Sequence, residues 1–500
     1  MGLLGESSGG PTVGVDIGSS LIKVVEARPG KDGIQITALG VAPTPTGAIE
    51  NEVIVDPQAL GRALRQLLLE SGISCKRSVS SVSGQSSVIV RIIEVPKMTK
   101  PELAETMKWE IERHVPFAAN EVMMDFQPVE RPAASPDDQN MEVLLAVAQQ
   151  EVVNRHMETL FAAGLEPSAI DVEPLAVSRA LIEVGGNGAG EGTVAIVNVG
   201  AMATELAVYQ EGLLAFPRTL PIAGDAITRA LSDGLNISVQ QAERLKRERA
   251  VVLLDRLGEA GPPVGIPGVE PLADLAAPGP TIGVSAPAEE ESPDVGFDFI
   301  PGLGYGPPAE EPKAGAGGGV PDFDIDIGAA APEAPEALKP VIDFDLSVGE
   351  ESPAMAPEPE QVLSVSAAGD MGEASLPVPA PPSPSDEGRP EEPVDVSQEV
   401  IFDNIAPVLN DLTVEIRRSL EYYASRFRGQ PDRILLCGGT AKIKDLDKLL
   451  QNDLGIPVAV ANPLQGMTVF SRSLSEGYLE EVAAIFPVSV GLAIRDMIGE

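Results

Sequence analysis

The chain has 500 residues, with 35 Lys and Arg against 75 Asp and Glu, a formal charge of −40. Such a polyanion repels nucleic-acid phosphates and anionic lipid headgroups, which excludes both as bulk partners. Two cysteines, Cys75 and Cys437, with two histidines, exclude a disulfide framework and a Cys/His zinc cluster.

No apolar run approaches the roughly 20 residues of a membrane span. The opening MGLLGESSGG lacks the charge and apolar stretch of a secretory signal. A soluble, cytoplasmic-type protein is expected, with residues 1–12 as a flexible start. The first strong pattern, Val13-Gly-Val-Asp16-Ile-Gly18-Ser19-Ser20-Leu-Ile-Lys23-Val-Val25, predicts a strand, a glycine turn and a second strand. Gly18 is expected to supply backbone angles that other residues avoid. Successive N–H groups in such a turn form an anion-binding concavity, Ser19 and Ser20 add hydroxyls, and Lys23 adds positive charge. That combination points to phosphate.

From about Ser86 the order is strand (86–95), helix (99–116), strand (121–129), strand (141–149) and helix (151–164). Thr99 and Glu102 predict a capping box, and Pro116 predicts the helix end. Glu173-Pro174 then opens another helix, where Glu173 could order a water beside a terminal phosphate or simply answer the helix dipole. Next, Ala195-Ile-Val-Asn198-Val-Gly200-Ala201-Met202-Ala-Thr204 repeats the first hairpin: with Asn198 set on Asp16, Gly200 falls on Gly18. Two hairpins of one design imply a duplicated α/β domain with a cleft between its copies. There Asp16 and Asn198 would hold a hydrated Mg²⁺ against phosphates.

Gly224-Asp225 precedes a helix, and Glu243 and Lys246 share the face of the next, either reaching ribose hydroxyls or forming an ion pair of little worth. Residues 251–396 hold 29 acidic and 4 basic residues and 26 of the 46 prolines. Sparse large apolar side chains there cannot offset about 1–2 kcal/mol of backbone entropy per residue, which predicts a disordered acidic insert. Within it, Phe297–Ile300, Asp322–Ile327 and Asp343–Leu346 repeat an Asp/Phe theme, either a linear docking motif or drift. After a helix at 399–428, Arg433–Cys437 reads as a buried strand entering Gly438-Gly439-Thr440 and a helix from about Lys442. The paired glycines leave room for a flat adenine.

Asp16-x-Gly18, Glu173-Pro174, Asn198-x-Gly200, Ala242-Glu243-x-x-Lys246 and Gly438-Gly439-Thr440-Ala441 follow the order of the actin-like ATPase superfamily. More closely, the chain resembles the PilM family of type IV pilus assembly proteins. The resemblance rests on Val95–Thr99, the block Lys108–Phe117, Asp171–Ala176 and Val490–Arg495, and covers nearly all of 13–250 and 397–500. It implies two ribonuclease H-like, actin-like lobes: 13–190, with a βαββα subdomain inserted at about 85–165, and 191–250 joined with 397–500. It implies Mg-ATP between them. Asp16, Gly18, Ser19, Ser20 and Lys23 would grip phosphate from one side, Asn198, Gly200 and Thr204 from the other. Glu173 would position water, with Gly224, Asp225, Glu243, Lys246, Gly438, Gly439 and Thr440 around the nucleoside.

The resemblance also implies a cytoplasmic scaffold held at the inner membrane through proteins rather than by insertion. Its partner would be the extended tail of a PilN-type inner-membrane protein, in a groove with Trp109, Ile111, Val115 and Phe117 as candidate walls. Other pilus inner-membrane components and self-association are open. Asn198 departs from the Asp of many actin-like ATPases, and an amide supplies no negative charge for Mg²⁺ or attacking water. Nucleotide binding with slow or absent hydrolysis is therefore expected. The alternative is a polymerising FtsA-like protein; FtsA ends in a detached amphipathic helix, whereas 482–498 reads as more of the domain.

Overall fold

The computed structural model describes residues 10–31, 33–131, 139–185, 190–256, 396–427, 429–470 and 476–498. Alternation of apolar and polar residues builds an opening meander of β1 (Thr12–Ile17), β2 (Leu21–Gly30) and β3 (Gly33–Pro43). A short hairpin, β4 (Ile49–Glu50) and β5 (Val53–Ile54), leads to helix α1 (Pro57–Glu70). Asp56 caps that helix by accepting from the Ala59 N–H at 2.8 Å, and Pro57 suits its first turn. Strand β6 (Arg77–Val82) follows. Then come β7 (Val88–Pro96), α2 (Lys100–His114), β8 (Val122–Val129), β9 (Asn140–Gln149) and α3 (Gln150–Ala163), in the expected βαββα order. Strand β10 (Glu166–Val172) runs into α4 (Glu173–Ser178).

A second meander, β11 (Thr193–Val199), β12 (Thr204–Gln210) and β13 (Leu213–Leu220), is followed by α5 (Gly224–Leu235) and α6 (Val239–Arg249). Beyond the insert come α7 (Gln398–Phe427), β14 (Arg433–Cys437), α8 (Leu446–Leu454), β15 (Val458–Val460), β16 (Thr468–Val469), α9 (Glu476–Val482) and α10 (Pro487–Ala493). The first sheet has the order β10-β6-β1-β2-β3-β16 and the second β13-β12-β11-β14-β15. In each, a three-stranded antiparallel meander receives two further strands parallel to its first member, β6 and β10 beside β1, β14 and β15 beside β11. The duplication inferred from two hairpins thus extends to whole sheets.

The inserted piece forms its own antiparallel sheet, β7-β9-β8. Strand β9 is covered on both faces: Val143, Leu145 and Val147 pack with Leu103 and Met107 of α2, while Leu144, Ala146 and Ala148 join the first lobe's core. The capping box before α2 is half formed. Glu102 accepts from both the backbone N–H and the hydroxyl of Thr99, each at 2.8 Å, so the hydroxyl turns to the carboxylate instead of the helix backbone.

Three boundaries differ from expectation. Residues 251–256 belong to the second lobe: Val252 is buried and donates its N–H to Lys444, and Arg256 pairs with Asp403 at 3.1 Å. At its other end Val396 packs against the second lobe's core, and 257–395, with the three Asp/Phe motifs, lie outside the described residues. A short 3₁₀ turn (Thr440–Lys442) precedes α8, which starts only at Leu446. Most consequentially, β16 and α10 join the first lobe instead of the second. Strand β16 pairs with β3, and Ile485, Phe486, Val488, Val490 and Leu492 are buried in the first core. Continuity with 397–500 predicts that they complete the second lobe, but α10 covers the first sheet. A Cβ at Gly14 of β1 would stand 2.0 Å from the Ser489 carbonyl oxygen, and one at Gly491 only 1.6 Å from that of Ala176. Helix α10 therefore wedges between β1 and α4 at backbone contact.

Candidate functional site

The β1–β2 and β11–β12 turns close in the same way. Gly18 N–H donates to the Leu21 carbonyl at 3.1 Å and Gly200 N–H to that of Ala203 at 3.0 Å. Neither glycine has positive φ, contrary to the angle argument made for Gly18. Space is the requirement instead: an added Cβ would come within 3.0 Å of Leu21 O at Gly18 and 2.8 Å of Ala203 O at Gly200. Both turns line one cavity of about 290 Å³ between the sheets. Into it also project Asp16, Ser19, Ser20, Lys23, Glu173, Asn198, Glu243, Lys246, Gly438, Gly439 and Thr440. A concave site with few convergent polar groups is the expected form of a small-molecule pocket.

Register determines which side chains meet. Across the first hairpin Asp16 faces Lys23, and Lys23 Nζ donates to Asp16 Oδ2 at 2.6 Å. Across the second, Asn198 faces Glu205, so Glu205 is the structural counterpart of Lys23. Asn198 Nδ2 donates to Glu173 Oε1, and Thr219 donates to the Glu205 carboxylate at 2.9 Å. Burial, then the negative charge of Asp16, pushes the Glu173 carboxyl up to about 7. Burial, then Glu173, holds Glu205 well above the ordinary carboxylate range. The backbone below Glu173 is fixed by Asp171, fully buried against the guanidinium of Arg179, with Arg495 at 3.7 Å.

On the second lobe's side, Lys246 and Glu243 pair at 2.6 Å, and Thr228 donates to Glu243 at 2.6 Å. Gly438 does adopt a left-handed φ of +93°, and a Cβ there would meet Val199 O at 2.4 Å and Asn198 Oδ1 at 2.6 Å. Only glycine brings this backbone so close to the second turn. Beside it, Gly439 has nothing within 4 Å of a Cβ position and leaves open backbone on the cavity wall.

Three expected nucleotide contacts are placed elsewhere. Thr204 is fully buried and donates its hydroxyl to Ile222 O at 2.6 Å. Gly224 N–H donates to Gly200 O at 3.1 Å and Asp225 N–H to Ala201 O at 2.8 Å, so both brace the second turn from outside the cavity lining. Thr440 does both, lining the cavity while donating to Gly200 O at 3.0 Å. Sequence reasoning missed Glu52, Ser81, Ser83, His156, Glu205 and Arg247, all on the cavity wall. His156 is the most unusual of them: burial depresses its pKa to about 4, and its Nδ1 has no hydrogen-bond partner. Glu205 alone had a readable signal, since it stands seven residues after Asn198 as Lys23 does after Asp16.

Of the candidate walls for a partner peptide, Val115 is 6% exposed within the inserted subdomain's core, and Phe117 packs partly against it. Their role is to fill that core. Trp109 stands 69% exposed on α2, and the side chain of Ile111 lies outside the described ones. Among the described residues no helix is long and apolar enough to cross a membrane.

Residues 14–252 match the family model for type IV pilus assembly protein PilM, and 195–478 match that for cell division protein FtsA. The FtsA of Bacillus subtilis is 24% identical over 267 residues, 49% of this chain and 60% of the relative. That of Pseudomonas aeruginosa is 24% identical over 280 residues, 52% of this chain and 66% of the relative. The chain therefore spans less than two thirds of the length of these curated relatives. The solved PilM-PilN type IV pilus biogenesis complex is similar at a TM-score of 0.61 and 23% identity, over 98% of this chain and 99% of that one. At that identity the likeness is one of fold.

Proposed function

Because this chain belongs to the actin-like family that holds PilM and FtsA, we propose that it is an ATP-binding scaffold of a type IV pilus or related secretion machine. The observation that carries this reading is the pair of like-built turns opening on one cavity, with serine hydroxyls, Lys23 and paired glycines around it. The donor set fits a nucleotide with hydrated Mg²⁺ better than a protein-held metal. Asp16 offers a carboxylate, Asn198 only an amide, and among the described residues no three His, Cys, Asp or Glu side chains are grouped to hold an ion. When bound, the metal would screen phosphate charge, and Asp16 and Asn198 would meet it through water.

The protein residues have separable tasks. Lys23, now paired with Asp16, would divide its charge between that carboxylate and phosphate; the Ser19 and Ser20 hydroxyls and turn N–H groups would donate to phosphate oxygens. Glu173, tied to Asn198, would hold a water near the terminal phosphate. Gly439 and the Gly438 backbone would border the base. With an amide at 198, turnover is slow or absent.

The partner proposed is the extended tail of a PilN-type inner-membrane protein, received beside the β7-β9-β8 subdomain near exposed Trp109. The solved PilM-PilN complex supports the partner class. The scaffold would then be cytoplasmic and peripheral to the inner membrane. A pull-down of full-length protein on synthetic pilus-protein tails, with and without ATP, tests the reading; no retention on any tail, together with no ATP binding by calorimetry, refutes it. The FtsA match over 195–478 favours a second reading, a polymerising cytoskeletal protein. Filaments in negative stain with ATP, or pelleting with bare liposomes, would select it.

A further inference from the structure

Helix α6 presents two consecutive cations to the cavity, and they go to different places. Lys246 is 10% exposed and committed within its own lobe, to Glu243 at 2.6 Å, Thr228 Oγ1 at 2.8 Å and Gly224 O at 3.0 Å. Arg247 is 52% exposed; its Nε bonds Glu243 Oε1 at 2.6 Å, and an Nη group donates to Ser20 Oγ at 3.2 Å. Ser20 belongs to the other lobe's turn. One guanidinium thus reaches across the cleft onto a hydroxyl assigned to phosphate.

A neutral hydroxyl is a weak acceptor for a half-exposed guanidinium, whose planar fork matches the oxygens of a phosphate. Glu243 holds the guanidinium in place through Nε and so leaves the Nη groups aimed at the turn. We propose that Arg247 is the second lobe's phosphate clamp: on binding of a nucleoside di- or triphosphate it exchanges Ser20 Oγ for a phosphate oxygen held on the Ser19–Ser20 turn. This rests on the nucleotide-binding reading of the cavity and deepens it. Lys246, expected from sequence to be the helix's ligand cation, is instead the fixed post around which Glu243 and Arg247 are arranged. Phosphate thus replaces the direct Arg247–Ser20 bond between α6 and the β1–β2 turn by one through its own oxygen, and a nucleoside without phosphate gains nothing from it.

Calorimetric titration of the full chain with ATP and with adenosine, in Mg²⁺, tests this on wild type, Arg247→Gln and Arg247→Lys. Arg247→Gln is expected to weaken ATP binding about 10- to 100-fold, the effect of one charge-assisted hydrogen bond, and to leave adenosine binding and the melting temperature unchanged. Arg247→Lys should recover part of the loss. In a cycle with Ser20→Ala, the double variant should lose less than the two single losses combined, since both side chains meet one phosphate. Equal ATP affinity in Arg247→Gln and wild type, or an equal loss for adenosine, overturns the clamp. Wild type that binds neither ligand refutes the nucleotide reading itself, a result distinct from either.

Discussion

Replacing Glu173 by Gln should stabilise the nucleotide-free protein, and only above about pH 5. In the unfolded chain this carboxyl ionises near 4.5, whereas in the fold burial and Asp16 move it to about 7. Folding therefore raises its pKa, so stability is full below about pH 4.5 and is lost as pH rises through 7. At 1.36 kcal/mol per unit the loss is about 3 kcal/mol, and because Glu173 lines an open cleft, solvent reduces this to about 1–2 kcal/mol. Gln keeps an oxygen to accept from Asn198 Nδ2 and carries no charge. Removing that charge also relieves Glu205, whose raised pKa depends partly on Glu173, an effect of the same sign. Urea unfolding of wild type and Glu173→Gln at pH 5, 6, 7 and 8 in EDTA reads the difference directly. The gap should widen with pH and level off near pH 8. A gap that is constant over this range, or a variant less stable at pH 8, would show that the charge of Glu173 is already well compensated.

Other substitutions probe the same frame. Asp171→Ala should cost about 3–5 kcal/mol in thermal or urea unfolding, because Arg179 would be left buried without its partner. Gly491→Ala should unfold or markedly loosen the first lobe, since its Cβ would lie 1.6 Å from Ala176 O; a melting temperature within 1–2 °C of wild type, roughly the effect of under 1 kcal/mol, would contradict the wedge. Lys23→Ala should lower ATP affinity about tenfold, near one charged hydrogen bond, with the circular dichroism spectrum retained. Phosphate release from ATP by wild type should stay well below about 1 per second, a low enzymatic rate, and Asn198→Asp should raise it in Mg²⁺.

Much of this architecture was readable because both lobes repeat one design at regular spacing. Asp16-x-Gly18 and Asn198-x-Gly200 fixed the two turns, and strand alternation then fixed which side chains face the cleft. What stayed hidden depends on distance along the chain. Helix α10 reads as an apolar segment following β14 and β15, and nothing local says that it covers β1, more than 470 residues earlier. Thr204 looks like a hydroxyl beside a phosphate turn, yet the pleat carries it to the face opposite Glu205, where it donates a hydrogen bond to Ile222 O. In the sequence Arg247 is one more charge on a charged helix, and only the fold brings it to Ser20.

The wedge of α10 also bears on how the polypeptide is made. A ribosome releases β1 long before α10, so the first lobe lacks its inner layer until α10 has emerged. At roughly 5–20 residues per second, the nascent first lobe waits tens of seconds with its Gly14 face uncovered. Meanwhile the long acidic segment is translated between α6 and α7. Native assembly of the first lobe thus waits on the emergence of α10, not on translation of its own strands alone.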